Sequence, residues 1–332
     1  MKLLLLSLMI LGGSGERAGC DSLLVVSWNV ENFLDYRTDS TGRYTRKRFY
    51  SKCNAIAKTL FLIAEEYGRM PDAVALMEVG NRYVLERLVR DTPLRKYDYE
   101  IVHYDSPDRR GIDCALLYRS GSLMLLKSEP KHLYDSVGVV MPTRDILLAE
   151  FKELNILVNH HPSKVGADSD ARRGVAMARM EAILDSLGRS RASLAVGDFN
   201  DDVWHNGAPG TIKYNGVWEK IDGYFARGPL EVCETVFSHR ILTEPDRSFG
   251  GTKPHRSFSG PRWLGGVSDH YPIVLKICYI CKNNQTVYGT KQRDTTVRIS
   301  ENENRIGFSQ SNNLRQRRQY GPGALGCTFS VK

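Results

Sequence analysis

Leu194-Ala195-Val196-Gly197-Asp198-Phe199-Asn200-Asp201 reads as a short buried strand that ends in a glycine and then presents polar side chains. Leu194 to Val196 are apolar and β-compatible, and Gly197 permits a turn or a close backbone approach. Asp198 and Asn200 sit two apart, so an extended backbone points them the same way. A carboxylate and an amide aimed at one spot can grip a metal, a water or a phosphate. Alone, the stretch is equally a strand followed by an Asx-rich turn. Its weight comes from other strands that end in the same manner.

Leu23 to Glu31 begins as a buried strand and finishes with Asn29 and Glu31, again two apart. Residues Arg46 to Tyr67 follow as a helix, because Phe49, Cys53, Ile56, Leu60, Ile63 and Tyr67 step by four and three along one face. Ala73 to Met77 is a strand closed by Glu78, and Asn81 to Arg90 a short helix. Tyr99–Tyr104 and Ile112–Tyr118 read as neighbouring strands around the polar turn Ser106-Pro107-Asp108-Arg109-Arg110-Gly111. The paired arginines there suit a phosphate or a plain exposed turn.

Ser122 to Phe151 is expected to hold several further strands. Leu154 to Asn159 is an apolar strand running into His160 and His161, followed by a helix over Asp170–Leu187. Trp218 to Phe225 places Asp222 inside a strand of aromatic and apolar residues. Ser268-Asp269-His270-Tyr271-Pro272 then leads into a closing strand over Ile273–Ile277. Strands alternating with helices argue for sheets packed against outer helices. Polar residues that repeatedly terminate apolar strands suggest one rim on which the strand ends converge.

Charge and cysteines bound the partners. The formal net charge is +8, but residues 282–332 carry nine Lys/Arg against three Asp/Glu, which leaves only +1 for residues 21–281. The basicity therefore belongs mainly to a tail without apolar periodicity, read as a mobile segment with a basic cluster at Arg315-Gln316-Arg317-Arg318. Lys2 followed by Leu3 to Leu11 and Gly12-Gly13-Ser14-Gly15 has the layout of a secretory signal peptide. Ala18-Gly19-Cys20 adds lipidation as an option, the one membrane attachment expected. Cys278 and Cys281 have CxxC spacing, yet no second pair completes a zinc site. A disulfide between them stays open for an exported chain.

The strand-end inventory is one of hard oxygens and two histidines, with no Ser or Cys nucleophile in a recognisable motif. Such donors suit Mg²⁺ or Mn²⁺, and a site of that kind favours attack of water on a phosphate ester. Taken together, Trp28-Asn29-Val30-Glu31, Met77-Glu78, Val158-Asn159-His160, Gly197-Asp198-Phe199-Asn200, Ile221-Asp222 and Ser268-Asp269-His270 resemble the endonuclease/exonuclease/phosphatase superfamily, the deoxyribonuclease-I-like hydrolases. The resemblance covers about residues 22 to 278 in the family's order. It implies an α/β fold, a four-layer α-β-β-α sandwich with two mixed β-sheets face to face and helices outside. A signal peptide (1–20), a catalytic domain (21–281) and the basic tail (282–332) complete the expected organisation.

By the same resemblance, Glu78 is the principal Mg²⁺ ligand, with Asn29, Glu31 and Asp269 near the metal. Asp198 orients or deprotonates the attacking water, helped by Asn200. His270, paired with Asp222, stabilises the phosphate or moves a proton. His160, chosen over its neighbour His161, donates to a phosphate oxygen, and Arg110 is assigned to substrate in the same way. The expected activity is an exported, Mg²⁺-dependent phosphodiester hydrolase, a nuclease first and a sphingomyelinase-like or inositol-phosphate hydrolase second. The expected partner is nucleic acid or another phosphodiester, met by a monomer without a stable protein partner. A non-catalytic binder on the same fold is the alternative of a different class.

Overall fold

The computed structural model describes residues 22–39, 42–166, 168–203 and 210–279. The segment expected to be a signal peptide, with Cys20, the tail from residue 282, and Cys281 of the CxxC pair lie outside the described residues. In chain order the main elements are β1 (Ser22–Phe33), α1 (Arg46–Tyr67), β2 (Ala73–Val79), α2 (Arg82–Asp91), β3 (Tyr99–His103), β4 (Asp113–Arg119), β5 (Leu125–Lys131), β6 (Ile146–Phe151), β7 (Asn155–His160), α3 (Ser169–Gly188), β8 (Ser193–Asp198), β9 (Asp222–Arg227), β10 (Leu230–Val236) and β11 (Ile273–Tyr279). Short two-stranded ribbons fill the connections.

Two sheets form. The first has the order β10-β11-β1-β2-β4-β3, the second β9-β8-β7-β6-β5. Each holds one parallel pair, β1/β2 in the first and β7/β8 in the second, and every other neighbour is antiparallel. A parallel pair needs a crossover, supplied by α1 and by α3 respectively. The carboxyl ends of paired parallel strands lie together. That topology is what gathers the polar strand ends.

Side-chain alternation sorts the core into three seams. Leu24, Val26 and Trp28 of β1 pack with Phe49, Ile56, Leu60 and Ile63 of α1, while Leu23 and Val25 face the other sheet. Ile156, Val158, Leu194 and Val196 fill the space between the sheets from the opposite side. Leu157 and Ala195 turn outward onto Met180 and Leu184 of α3. The layers therefore run α1 and α2, first sheet, second sheet, α3, as expected. Strands buried on both faces read as nearly continuous apolar runs for this reason.

Local signals set the helix ends. The Thr45 hydroxyl accepts from the Arg48 amide at the start of α1, and Gly68 ends it in the left-handed region at φ 73°. Asn81 caps α2 through the Val84 amide. One expectation is corrected. Trp218 to Phe225 is not a single strand: Val217–Glu219 pairs with Ile212–Tyr214, and Asp222 opens β9. The break is held by loop partners, since Ile221 C=O accepts from Phe199 N at 2.8 Å and Lys220 C=O from Val203 N at 2.9 Å. No helix among the described residues is long and apolar enough to cross a membrane.

Candidate active site

Gly197 must be glycine: a Cβ there would lie 1.9 Å from the Asn159 carbonyl oxygen, and its φ is 148°. The close approach brings β7 and β8 together one residue before their ends, so His160 and Asp198 emerge side by side. His160 Nε2 stands 3.7 Å from Asp198 Oδ2 and 4.0 Å from Glu78 Oε1. Asp198 Oδ2 accepts from Asn29 Nδ2 at 3.0 Å, a bond that joins the second sheet to the first. His270 Nε2 lies 3.9 Å from the same Asp198 oxygen and 3.9 Å from Asp269 Oδ1.

His270 is fixed from several directions. Its Nδ1 meets Asp222 Oδ2 at 2.8 Å, and that oxygen also accepts from Thr211 Oγ1 at 2.5 Å. The His270 amide donates to Ser268 Oγ at 3.0 Å, whose hydroxyl donates to the Asn29 carbonyl at 2.6 Å. The Trp28 indole N–H reaches the His270 carbonyl at 2.9 Å. Core and site thus share a residue.

Glu31 and Glu78 reach the rim by leaving strand geometry. Glu31, Asn32 and Glu78 have φ of 49°, 48° and 65°, in the left-handed region that non-glycine residues seldom occupy. The β1/β2 register shifts between Asn29 and Phe33, and the β2/β4 register between Met77 and Val79. These bulges re-aim the carboxylates. Glu78 Oε2 accepts from the Asn32 amide at 2.8 Å. Glu31 accepts from the Ser257 amide at 2.5 Å and from Arg256 Nε at 3.3 Å. Arg256 also donates to Asp269 Oδ2 at 2.9 Å, so one guanidinium bridges Glu31 and Asp269.

Asn29, Glu31, Glu78, His160, Asp198, Asp222, Asp269 and His270 therefore surround one rim. Arg110 is half exposed at its edge, with Nη1 3.9 Å from Glu78 Oε1. Asn200 departs from the expected geometry. At φ 50° it is no longer extended, and its amide donates to the His161 carbonyl at 3.0 Å. Its contribution to Asp198 is its backbone N–H, 2.9 Å from Oδ1. His161 is buried edge-on against Phe199 with ring centroids 5.1 Å apart, and burial followed by Arg144 pushes its pKa down to about 3.

Sequence reasoning passed over Lys52, Arg256, Ser257 and Thr211. Lys52 is fully buried; its ammonium donates to the Glu31 carbonyl and, at 2.8 Å, to Ser257 Oγ. A charged residue stood within the apolar stripe of α1, three after Phe49 and four before Ile56, which was the available signal. Arg256, Ser257 and Thr211 lie between the main strands and had none.

The protonation states differ across the rim. Burial, then the charge of Asp269, raises the Glu31 pKa. Burial, then Asp222, raises Asp198 to about 7. For His160, burial and the nearby Arg144 and Arg110 drive the pKa well below its usual value, so the ring is neutral. Burial opposes charge on His270 as well, but Asp222, Asp198 and Asp269 outweigh it and keep the ring an imidazolium.

The donor set fits a divalent cation. Among the described residues no hydrogen-bond donor reaches Glu78 Oε1, and Glu31 carries its charge with difficulty beside Asp269. An added cation satisfies both, and hard carboxylate oxygens are what Mg²⁺ or Mn²⁺ takes. Buried ligand atoms of Asp198, Asp222 and His270 also gather within 4.8 Å of one another, but His270 Nδ1 is already engaged by Asp222.

A sequence model described as the Endonuclease/Exonuclease/phosphatase family matches residues 26–226, more than half of the chain. The chain belongs to that family. Among solved structures, the mannosyl-6-phosphatase Bt3783 of Bacteroides thetaiotaomicron VPI-5482 aligns with TM-score 0.50 and 16% identity, over 77% of this chain and 100% of that one. A D. rerio TDP2 humanized by 14 mutations gives 0.49 and 16%, over 77% and 98%. A truncated Caenorhabditis elegans TDP2 gives 0.48 and 18%, over 78% and 98%. No curated protein matches the chain significantly. Members of the endonuclease/exonuclease/phosphatase family are phosphoesterase-type hydrolases that depend on divalent metal.

Proposed function

We propose that this family member is an exported, Mg²⁺-dependent phosphodiester hydrolase that acts on nucleic acid. The observation that carries the chemistry is Asp198 Oδ2, held by Asn29 at 3.0 Å and flanked by Nε2 of His160 and of His270 at 3.7 and 3.9 Å. Export rests on the apolar run Leu3–Leu11 behind Lys2.

Glu78, Glu31, Asp269 and the Asn29 amide would hold the cation, which when bound neutralises charge on the phosphate and leaving oxygen. Asp198, raised to about 7, has the basicity to take a proton from water near neutral pH. As that proton moves to Asp198, the water oxygen bonds phosphorus and the bond to the leaving oxygen breaks. His270 donates from its protonated Nε2 to a phosphate oxygen, the Asp222 contact fixing ring orientation and charge. His160 is neutral and its Nδ1 is buried without a partner among the described residues, so Nε2 is the atom it presents.

The full-length protein incubated with supercoiled plasmid tests the reading. Nicking that needs Mg²⁺, stops with EDTA and falls about 10²- to 10⁴-fold in His270→Ala supports it. Intact plasmid, with the protein folded and metal bound, overturns the nucleic-acid assignment.

A further inference from the structure

Beside the rim, on the Glu78 and His160 side, lies a cleft of about 450 Å³. That volume is within the range of about 300–1,000 Å³ seen for small-molecule sites. Its walls come from the turn before β4, the β5–β6 connection, the β7–α3 connection and the first turn of α3, and they include Arg109, Arg110, Arg144 and Arg172. Against four guanidiniums stands one carboxylate, Asp108. Residues 21–281 have a net charge of only +1, so this is a local concentration and not part of a basic background.

The four arginines are not equivalent. Arg144 is buried and committed, donating to Asp108 Oδ2 at 3.0 Å and to the carbonyls of His160 and His161 at 3.2 and 2.6 Å. It ties the cleft floor to the strand end that carries His160. Asp108 is consumed by Arg144 and by the Arg110 amide at 2.9 Å. Arg110 has carboxylates no nearer than 3.8 Å. Arg109 and Arg172 have no carboxylate within ion-pair distance among the described residues. Three guanidiniums thus face one cleft without a firm counter-charge, and Arg110 stands where the cleft meets the rim.

We propose that this cleft is a subsite for a second phosphate of the substrate, covalently linked to the one being hydrolysed. The proposal rests on the phosphoesterase reading and deepens it: the preferred substrate carries at least two phosphates, and Arg109 and Arg172 select for the one that is not cleaved. Guanidiniums suit this task because their forked donors match phosphate oxygens. Two sources share the chemistry, the neighbouring phosphate of an oligonucleotide and the additional phosphate of a small phosphorylated alcohol.

The test uses full-length protein and paired substrates. Bis(p-nitrophenyl) phosphate reports single-phosphate diester hydrolysis. A thymidine dinucleotide with and without a terminal phosphate forms one arm, and glycerophosphoinositol with and without a ring phosphate the other. The wild type is expected to favour the doubly phosphorylated member of one arm by about tenfold or more in kcat/KM, and that arm identifies the source. In Arg109→Ala/Arg172→Ala the preference disappears through KM while kcat and bis(p-nitrophenyl) phosphate hydrolysis stay unchanged. The Arg109→Lys/Arg172→Lys variant recovers part of it.

Equal use of both members by the wild type, an unaltered preference in the double alanine variant, or equal losses on all substrates overturns the subsite. Failure of the wild type to hydrolyse any of these diesters sinks the underlying phosphodiesterase reading instead.

Discussion

The two sheets bring different chemistry to the rim. The first presents Asn29, Glu31 and Glu78 from β1 and β2, with Asp269 just ahead of β11; its two glutamates are aimed by left-handed backbone and gripped by amides of Asn32 and Ser257. The second presents His160, Asp198 and Asp222, set on ordinary strand ends and tuned by side-chain neighbours. One half concentrates negative charge that a cation relieves. The other holds groups in opposed protonation states, as proton transfer requires. His270 belongs by sequence to the first half and by its Asp222 contact to the second, while the Asn29–Asp198 bond crosses the other way. A parallel pair in each sheet is enough to align two such half-sites.

The sharpest way to break this division is to damage each half separately and read metal binding apart from turnover. Asp198→Asn is expected to lower kcat by about 10²- to 10⁴-fold at saturating Mg²⁺. Its affinity for Mn²⁺, measured by titration calorimetry, stays within a few-fold of the wild type. Glu78→Gln should weaken that affinity by about 10- to 100-fold or more, with activity partly recovered at high metal. If both variants lose metal equally, the halves are not separable and Asp198 is itself a ligand.

Lys52→Met asks what holds the first half in its unusual backbone. The ammonium is fully buried, and burial lowers its pKa to about 8 even though Glu31, Asp269 and Glu78 favour its charge. Removing it leaves the Glu31 carbonyl and the Ser257 hydroxyl without their donor, at a cost of about 1–3 kcal/mol. Urea unfolding of the metal-free protein reads this loss. Metal affinity should fall with it, because the left-handed turn at Glu31 is no longer anchored. A stable variant with unchanged metal affinity would show that Ser257 and Arg256 suffice.

The same contrast explains what could be read before the structure. Apolar runs and helical periodicity marked the layers closely, since α1 runs over Arg46–Tyr67 as its stripe required. The polar strand ends marked the rim, because topology carries the carboxyl ends of parallel strands to one side. The inference that residues two apart point together did not survive at Glu31 and Asn200, where left-handed backbone re-aims the side chains. Nothing local announces such a bulge. The strand break before Asp222 was hidden for a related reason, since its cause is hydrogen bonding to Phe199 and Val203, remote in sequence. Arg256 bridges two carboxylates from a connecting segment whose path only the folded chain defines.

Glu234 of β10 supplies the smallest and cleanest check on the electrostatics of the second half. Like Asp198, it is raised to about 7, by burial first and the Asp222 carboxylate next, with Lys220 working against them. Its folded pKa lies above the model-peptide value of 4.5, so the folded state binds the extra proton between those limits. Wild-type stability should therefore decline as pH rises from 4.5 through 7, by up to about 3 kcal/mol from this group. Glu234→Gln cannot ionise and escapes that decline. Its urea midpoint should match the wild type at pH 4 and exceed it at pH 8.5. A constant difference at both pH values would mean that the buried charge is not responsible, and the explanation for Asp198, which invokes the same causes in the same order, would weaken with it.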